Sequence, residues 1–409
     1  MENLILSTPR FEDGKLRLKN LRPIRENKRP VISAAEREIV YLAIKLRILF
    51  VAVVTLRNFK ATRQAFTSLL KLRRATWNGQ NKKIHKVDGK YYFNLYTPGW
   101  PSAAYDNTIK SELLRYAPSS KNHADKLRFI FFAITRKCPL NCEHCFEWEN
   151  LNKKETFTLD ELKKIVSIYQ ALGVNQIQFS GGEPLVRFRD LVEVIKFARD
   201  KCECYIITSG FNLTQTRANT LKEAGCKGII VSIDHHMPYL HNAFRGDSRI
   251  YDLAVEAVEA SINAGMVTAL SICVSGEFIE AGNLMPYLKF AKDLGVQFVQ
   301  ILEPKDIGRY AGQAVLLQEK HIQQLEDFFK LINHSPQYRD FPTLMYHGYH
   351  QRRVGCYSGS RSVYIDSAGN VNACPFCHTH SYNLRKVLDA GETTIPVKEN
   401  LCPRYENIA

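Results

Sequence analysis

"ITRKCPLNCEHCFEW", residues 134–148, places Cys138, Cys142 and Cys145 in a C-x3-C-x2-C array directly after an apolar run, "RFIFFAIT" (128–135). The run reads as a strand because aromatic and β-branched residues fill it. Thiolates are soft ligands, suited to iron–sulfur clusters or to zinc. A structural zinc site wants four ligands, usually as two paired elements. Here three cysteines stand at unequal gaps, with His144 between two of them. Three thiolates on a 4Fe–4S cluster would leave one iron open, whereas a ferredoxin fills all four positions with cysteine.

From residue 127 onward the pattern is regular. Five more strand-like runs follow the first: "QIQFS" (176–180), "CYIITS" (204–209), "GIIVSID" (228–234), "VTALSICV" (267–274) and "QFVQILE" (297–303). Helix-period segments lie between and after them, at about 159–172, 190–200, 215–224, 251–264, 280–294 and 318–333. Several close on a glycine suited to a C-cap: Gly173, Gly225, Gly265 and Gly295. Six β-α units imply an α/β fold with a parallel sheet and helices outside it. Six are too few to close an eight-unit barrel, so a partial (β/α)6 TIM-like barrel is expected. Active residues in such folds sit at the C-terminal ends of the strands, where the cysteine array falls.

The 409 residues suffice for a large buried core, and 45% hydrophobic with 24% charged residues reads as globular. No run of 18 uncharged apolar residues is present, so no transmembrane helix is expected. The opening "MENLILSTPRFEDGK" lacks a basic start followed by an apolar run, so no secretory signal is expected. Eleven cysteines without such a signal suggest metal or redox chemistry in a reducing, cytoplasmic setting rather than a disulfide framework.

Charge is placed unevenly. Residues 1–90 carry 21 Lys and Arg against 7 Asp and Glu, a net +14, while the other 319 carry 35 against 34. Residues 39–87 contain no acid. The N-terminal region is therefore expected to meet something anionic. Residues 36–75 lack Gly and Pro and read as one or two basic helices. Such a helix either lies in an anionic membrane interface, peripheral to the bilayer, or packs an apolar face inward with a basic face in water. A nucleic-acid partner is disfavoured because no binding motif accompanies the charge. "KYYFNLYTPGWPSAAYD" (90–106) reads as a strand or hairpin and a turn-rich loop, either a substrate lid or, preferably, a linker whose aromatics pack on the barrel. The division expected is a basic, mainly helical extension at 1–90, an aromatic linker at 91–126, a core at 127–345 and a small Cys-rich domain at 346–409.

With the cysteine array and the six units in view, the chain resembles the radical S-adenosylmethionine (SAM) enzymes. His144 stands where that family's motif carries an aromatic residue. The resemblance implies that Cys138, Cys142 and Cys145 hold a 4Fe–4S cluster whose open iron binds SAM. It implies reductive cleavage of SAM to a 5′-deoxyadenosyl radical that takes hydrogen from a substrate carbon. A reductant such as flavodoxin or ferredoxin would supply the electron. "FSGGEPL" (179–185) is similar to the family's GGEP motif, so Gly181, Gly182 and Glu183 would meet the SAM amine. "ITSGFNLT" (207–214) looks like the ribose-contacting turn, with Ser209 where Asn is common. In "VSIDHHMPYLHNAFRG" (231–246), Ser232 and Arg245 would hold the SAM carboxylate, and Leu302 would lie near the adenine.

The tail carries Cys356, Cys374, Cys377 and Cys402. "SVYIDSAGNVNAC" reads as a β-hairpin. The C-x12-G-x4-C spacing from Cys356 through Gly369 to Cys374 resembles the SPASM/twitch extensions of radical SAM enzymes, implying one auxiliary 4Fe–4S cluster. Four cysteines would also satisfy structural zinc. Cys202, Cys204, Cys226 and Cys273 read as buried thiols. The substrate implied is a peptide, a protein or a membrane-associated molecule. The alternatives are a small-molecule or RNA-modifying relative, and a non-catalytic iron–sulfur carrier or metal-stabilised binding module.

Overall fold

The computed structural model describes residues 31–77, 83–116, 127–378, 381–392 and 395, with 72–77 described by backbone alone. Cys402 lies outside these residues. In chain order, an N-terminal unit contains α1 (Ala34–Leu56), α2 (Phe59–Trp77), β1 (His85–Val87), β2 (Lys90–Tyr92) and α3 (Ala103–Arg115). The repeating core follows as β3 (Phe129–Ala133), α4 (Leu159–Ala171), β4 (Gln176–Ser180), α5 (Phe188–Ala198), β5 (Glu203–Thr208), α6 (Gln215–Ala224) and β6 (Cys226–Ser232). It continues with α7 (Pro238–Arg245), α8 (Ile250–Asn263), β7 (Val267–Cys273), α9 (Gly276–Glu280), α10 (Leu284–Asp293), β8 (Phe298–Leu302) and α11 (Glu319–His334). The tail comprises β9 (Thr343–Tyr346), α12 (His347–Val354), β10 (Ser362–Ile365), β11 (Asn370–Asn372), β12 (Tyr382–Asn383) and α13 (Leu384–Asp389).

Local chemistry sets these elements. α4 begins at a capping box in which Thr158 accepts from the Glu161 amide and Glu161 accepts from the Thr158 amide. Its apolar stripe of Leu162, Ile165, Val166 and Tyr169 is buried on the sheet. In β3, Ile130 and Phe132 face that helix layer, while Phe129 and Phe131 line the interior of the barrel.

The six expected strands pair in parallel, β3 through β8 in order. Two more join them. β9 pairs in parallel with β8, and β10 pairs in parallel with β3. The tail therefore does not form a separate domain, as its composition suggested, but completes the main sheet. An uncovered β3 edge would leave a row of backbone donors and acceptors unpaired. β9 and β10 end the parallel run without bonding to each other, so the barrel stays open along one seam.

Beside that seam lies an ionic network. Glu303 accepts from Lys305 Nζ at 2.8 Å, Arg352 Nη1 at 2.8 Å and Tyr346 OH at 2.7 Å. Burial opposes its charge, yet Lys305 and Arg352 hold its pKa down to about 2 from an ordinary 4.5. A carboxylate depressed in this way adds stability above its unfolded pKa and loses it as pH falls through the folded value. Resistance to denaturant should therefore weaken as pH falls from 4.5 to 2. Glu303→Gln should flatten that window by about 3 kcal/mol. An unchanged pH profile would show that the network adds nothing.

Residues 83–101 plug the N-terminal end of the barrel, so they are not a lid over the strands' C-terminal ends. His85 Nε2 meets Thr343 Oγ1 at 2.8 Å, and Lys90 Nζ donates to Glu203 Oε1 at 3.1 Å. Gln176 and Gln178 both donate to the Leu95 carbonyl. Tyr92 and Leu95 are buried against Tyr205, Val267 and Phe298.

Candidate functional site

The cysteine loop leaves β3 and is pinned on several sides. The Gly182 amide donates to the Thr135 carbonyl at 2.9 Å and the Glu183 amide to the Lys137 carbonyl at 2.8 Å. From the other side the Glu143 amide donates to the Phe244 carbonyl at 2.9 Å, and the Arg309 amide to the Cys145 carbonyl at 3.1 Å. Asn152 exchanges two hydrogen bonds with the Cys138 backbone. Both glycines of the GGEP turn are required by contact. A Cβ on Gly181, whose φ is +142°, would stand 2.6 Å from the Thr135 carbonyl oxygen, and one on Gly182 would collide with the Lys137 carbonyl.

The structure brings Cys138, Cys142 and Cys145 into one patch with Leu140, Ile250 and Phe211. Cys142 is buried, and the other two are half-buried. Burial pushes the Cys138 thiol up to about 12 and the Cys145 thiol up to about 11, so neither becomes a thiolate unaided at neutral pH. A bound metal would supply the charge that favours deprotonation. Among the described residues no three His, Cys, Asp or Glu side chains converge as one metal ion requires. A cubane offers a different iron to each thiolate, so a wider spacing suits it. His144 stacks on Phe244 with ring centroids 4.7 Å apart. Burial lowers its pKa to about 4, so it fills the aromatic position as a neutral ring.

Glu183 is more committed than its sequence context suggested. Its carboxylate accepts from the Leu185 amide at 3.0 Å, Thr208 Oγ1 at 2.7 Å, the Ser209 amide at 2.8 Å and Ser209 Oγ at 2.5 Å. Burial raises its pKa while these donors oppose the rise. Glu183 thus buckles the end of β4 to the end of β5, and Ser209 is its partner.

Arg245, the last residue of α7, is buried rather than a surface cation. Its Nε donates to Asp234 Oδ2 at 2.6 Å, and its Nη1 lies 3.7 Å from Cys142 Sγ. Asp234 also accepts from the Cys273 amide at 3.0 Å. Burial would raise the Asp234 pKa, but Arg245, His144 and His241 together take it below the ordinary carboxylate value. Sequence reading passed over Asp234, although an acid two residues beyond Ser232, at a strand's C-terminal end, is the signal that would find it. Ser232 closes β6 half-buried, and Leu302 closes β8 opposite Cys273.

A cavity of about 530 Å³ occupies the barrel interior and reaches the tail. Ser180, Ile207, Leu302 and Phe146 line it, as do Cys356, Cys374 and Phe376, and the Phe146 and Phe376 rings meet with centroids 5.6 Å apart. None of the first three cysteines lines it, but Phe146 follows Cys145 and Ser180 precedes Gly181. His347 Nε2 and Tyr96 OH, 2.7 Å apart, form part of its wall. Cys356, Cys374 and Cys377 are packed together around Ala373. A hydrogen bond shared with Cys377, then burial, pushes the Cys374 thiol far up. Glu147 locks the two cysteine groups to one frame, because Tyr364 OH and Ser367 Oγ donate to it at 2.6 and 2.9 Å.

Residues 132–283 match the family model described as the radical SAM superfamily. The chain carries a radical SAM domain. Among curated proteins it is similar to a PqqA peptide cyclase of Streptomyces rochei, 29% identical over an alignment of 282 residues that covers 66% of this chain and 72% of that one. It is also similar to a GTP 3′,8-cyclase of Staphylococcus aureus, 24% identical over an alignment of 295 residues that covers 67% of this chain and 86% of that one. The radical SAM fold is shared with Streptococcus suis SuiB bound to precursor peptide SuiA, at a TM-score of 0.54 and 13% identity over 78% of this chain and 75% of that one. SuiB bound to S-adenosylmethionine aligns at a TM-score of 0.52 and 13% identity, covering 69% of this chain and 71% of that one. That domain and the two cyclase relatives mark the chain as an enzyme, and the fold implies a 4Fe–4S cluster and SAM.

Proposed function

We propose that this radical SAM enzyme modifies a carbon of an apolar peptide segment held between its two cysteine groups. The observation that carries the reading is the cavity, which runs from the rim beside Cys145 to Cys356 and Cys374. Cys138, Cys142 and Cys145 would hold the first cluster, and Gly181, Gly182, Glu183, Ser209, Ser232, Arg245 and Leu302 would frame SAM. When bound and reduced, that cluster supplies the electron that cleaves SAM, generating a radical able to take hydrogen from an unactivated carbon. Arg245, fixed by Asp234, would present its remaining N–H groups to the SAM carboxylate. Glu183 would hold the amine-side turn rigid. His347, kept neutral by burial with its pKa near 4, and its partner Tyr96 would offer polar contacts that position the substrate.

A peptide suits the lining better than a nucleoside triphosphate. Arg128 and Arg361 share Glu112 with Arg115, and Lys305 shares Glu303 with Arg352, so the cavity's cations are engaged by protein carboxylates. Apolar residues such as Phe129, Phe131, Met345 and Phe376 supply much of the wall. The similarity to a peptide cyclase supports the same reading.

The test is anaerobic reconstitution with iron and sulfide, then dithionite and SAM, with 5′-deoxyadenosine read by mass spectrometry. Its formation is the expected result. A fully loaded protein that forms none, with or without candidate peptides, would restore the electron-carrier reading. Cys356, Cys374 and Cys377, with Cys402, would hold a second 4Fe–4S cluster. Cys356→Ser should then lower iron from about eight to about four per chain and leave SAM cleavage in place. About one zinc per chain with iron unchanged would assign the tail to zinc instead.

A further inference from the structure

α1 is apolar on two opposite faces. The inner face buries Val40, Tyr41, Ile44, Val51 and Ala52. Ile39, Leu42, Leu46, Leu49, Phe50 and Val53 form the outer face and are exposed, Leu46 by 60% and Phe50 by 56%. At 3.6 residues per turn they cover an arc of roughly 100° and a length of about 20 Å. This is more contiguous apolar surface than a monomer ordinarily leaves in water. Phe59, 86% exposed, extends the surface at the start of α2.

Charge says what covers this face. Lys45 and Arg47 fall on the two flanks of the stripe and are exposed. Arg57, Lys60, Arg63 and Lys71 are exposed around Phe59 and along α2. Asp106 of α3 pairs with Arg47, but the segment 39–87 itself contains no acid to offset the others. An apolar stripe bordered by cations is complementary to an anionic lipid surface, where the side chains enter the acyl boundary and the cations meet headgroups.

α1 is long and apolar enough to cross a bilayer by length and composition, but its packing opposes that. Crossing would strip Tyr41 and Ile44 from Ile84 and Tyr105 and break the 3.1 Å bond from Arg47 Nε to Asp106 Oδ1. We propose that α1 and the start of α2 form a docking platform that lies flat on an anionic bilayer. α2 also contributes Leu69 to the cavity wall, which ties the platform to the substrate chamber.

Sedimentation of the full chain with phosphatidylserine-containing phosphatidylcholine vesicles, and with phosphatidylcholine alone, tests this. The wild type should bind the anionic vesicles, and salt should weaken binding. Leu46→Glu with Val53→Glu should weaken it at least about tenfold. Lys60→Gln with Arg63→Gln should cost about tenfold on anionic vesicles only. All four positions are solvent-exposed, so melting curves should match the wild type. A wild type that stays in the supernatant, or a glutamate variant that sediments equally well, overturns the proposal. So does a wild-type dimer that the glutamate pair converts to monomer without vesicles, since a second copy would then cover the stripe. Binding that RNA, but not lipid, can saturate also overturns it.

Discussion

A Cys142→Ala chain should carry about four irons where the unaltered chain carries about eight, and should form no 5′-deoxyadenosine above background. Cys142 is the buried member of the triplet, and the Arg245 guanidinium is aimed at its sulfur. A cubane left with two protein thiolates on this loop loses the ligand nearest the cation proposed to hold SAM. Cys202→Ala is the matched control. Its thiol lies away from the rim and donates to the Val174 carbonyl at 3.2 Å, so iron content and SAM cleavage should be unchanged. Full SAM cleavage by the Cys142→Ala chain would remove the assignment of the loop.

Asp234→Ala should destabilise the protein by about 3–5 kcal/mol, the loss seen when one partner of a buried ion pair is removed. Arg245 would keep its charge in a dry site with only the Cys142 sulfur opposite. Because Asp234 titrates below the ordinary carboxylate range, its contribution is present at neutral pH. It is lost as pH falls through that depressed value. Denaturant titration of the wild type and variant at neutral pH measures the difference. SAM affinity, read by calorimetry on the reconstituted protein, should fall in parallel, because Asp234 positions the guanidinium. A change below about 1 kcal/mol would place the pair with exposed salt bridges.

The strands that carry the chemistry were legible because each is flanked by a helix-period segment and a capping glycine. "QIQFS" was read at 176–180 and β4 occupies Gln176–Ser180. The strands that complete the sheet were legible only in part. β10 and β11 form the hairpin read in "SVYIDSAGNVNAC", but the four-residue β9 was missed, and the partners β8 and β3 are chosen by edges far away in sequence. The helix read at 280–294 begins only at Leu284, as α10, because Gly282 takes φ +72° just before it, and the short α9 that precedes it was not read. At the site, the motifs gave the position of Glu183 and Arg245 but not their partners. Four donors to one carboxylate, and an aspartate eleven residues before its arginine, are facts of folding rather than of spacing.

The plug at the foot of the barrel also dictates an order of assembly. Lys83 Nζ ends on the Tyr338 carbonyl, 255 residues later in the chain. During synthesis the plug leaves the ribosome before any stave of the barrel exists. Translation at 5–20 residues per second keeps it waiting for tens of seconds. Tyr92 and Leu95, buried in the finished protein, are exposed for that interval. Contacts of such sequence separation close slowly, since loop entropy is lost before any packing is gained. The barrel therefore seals its own floor only as its last parallel strands arrive.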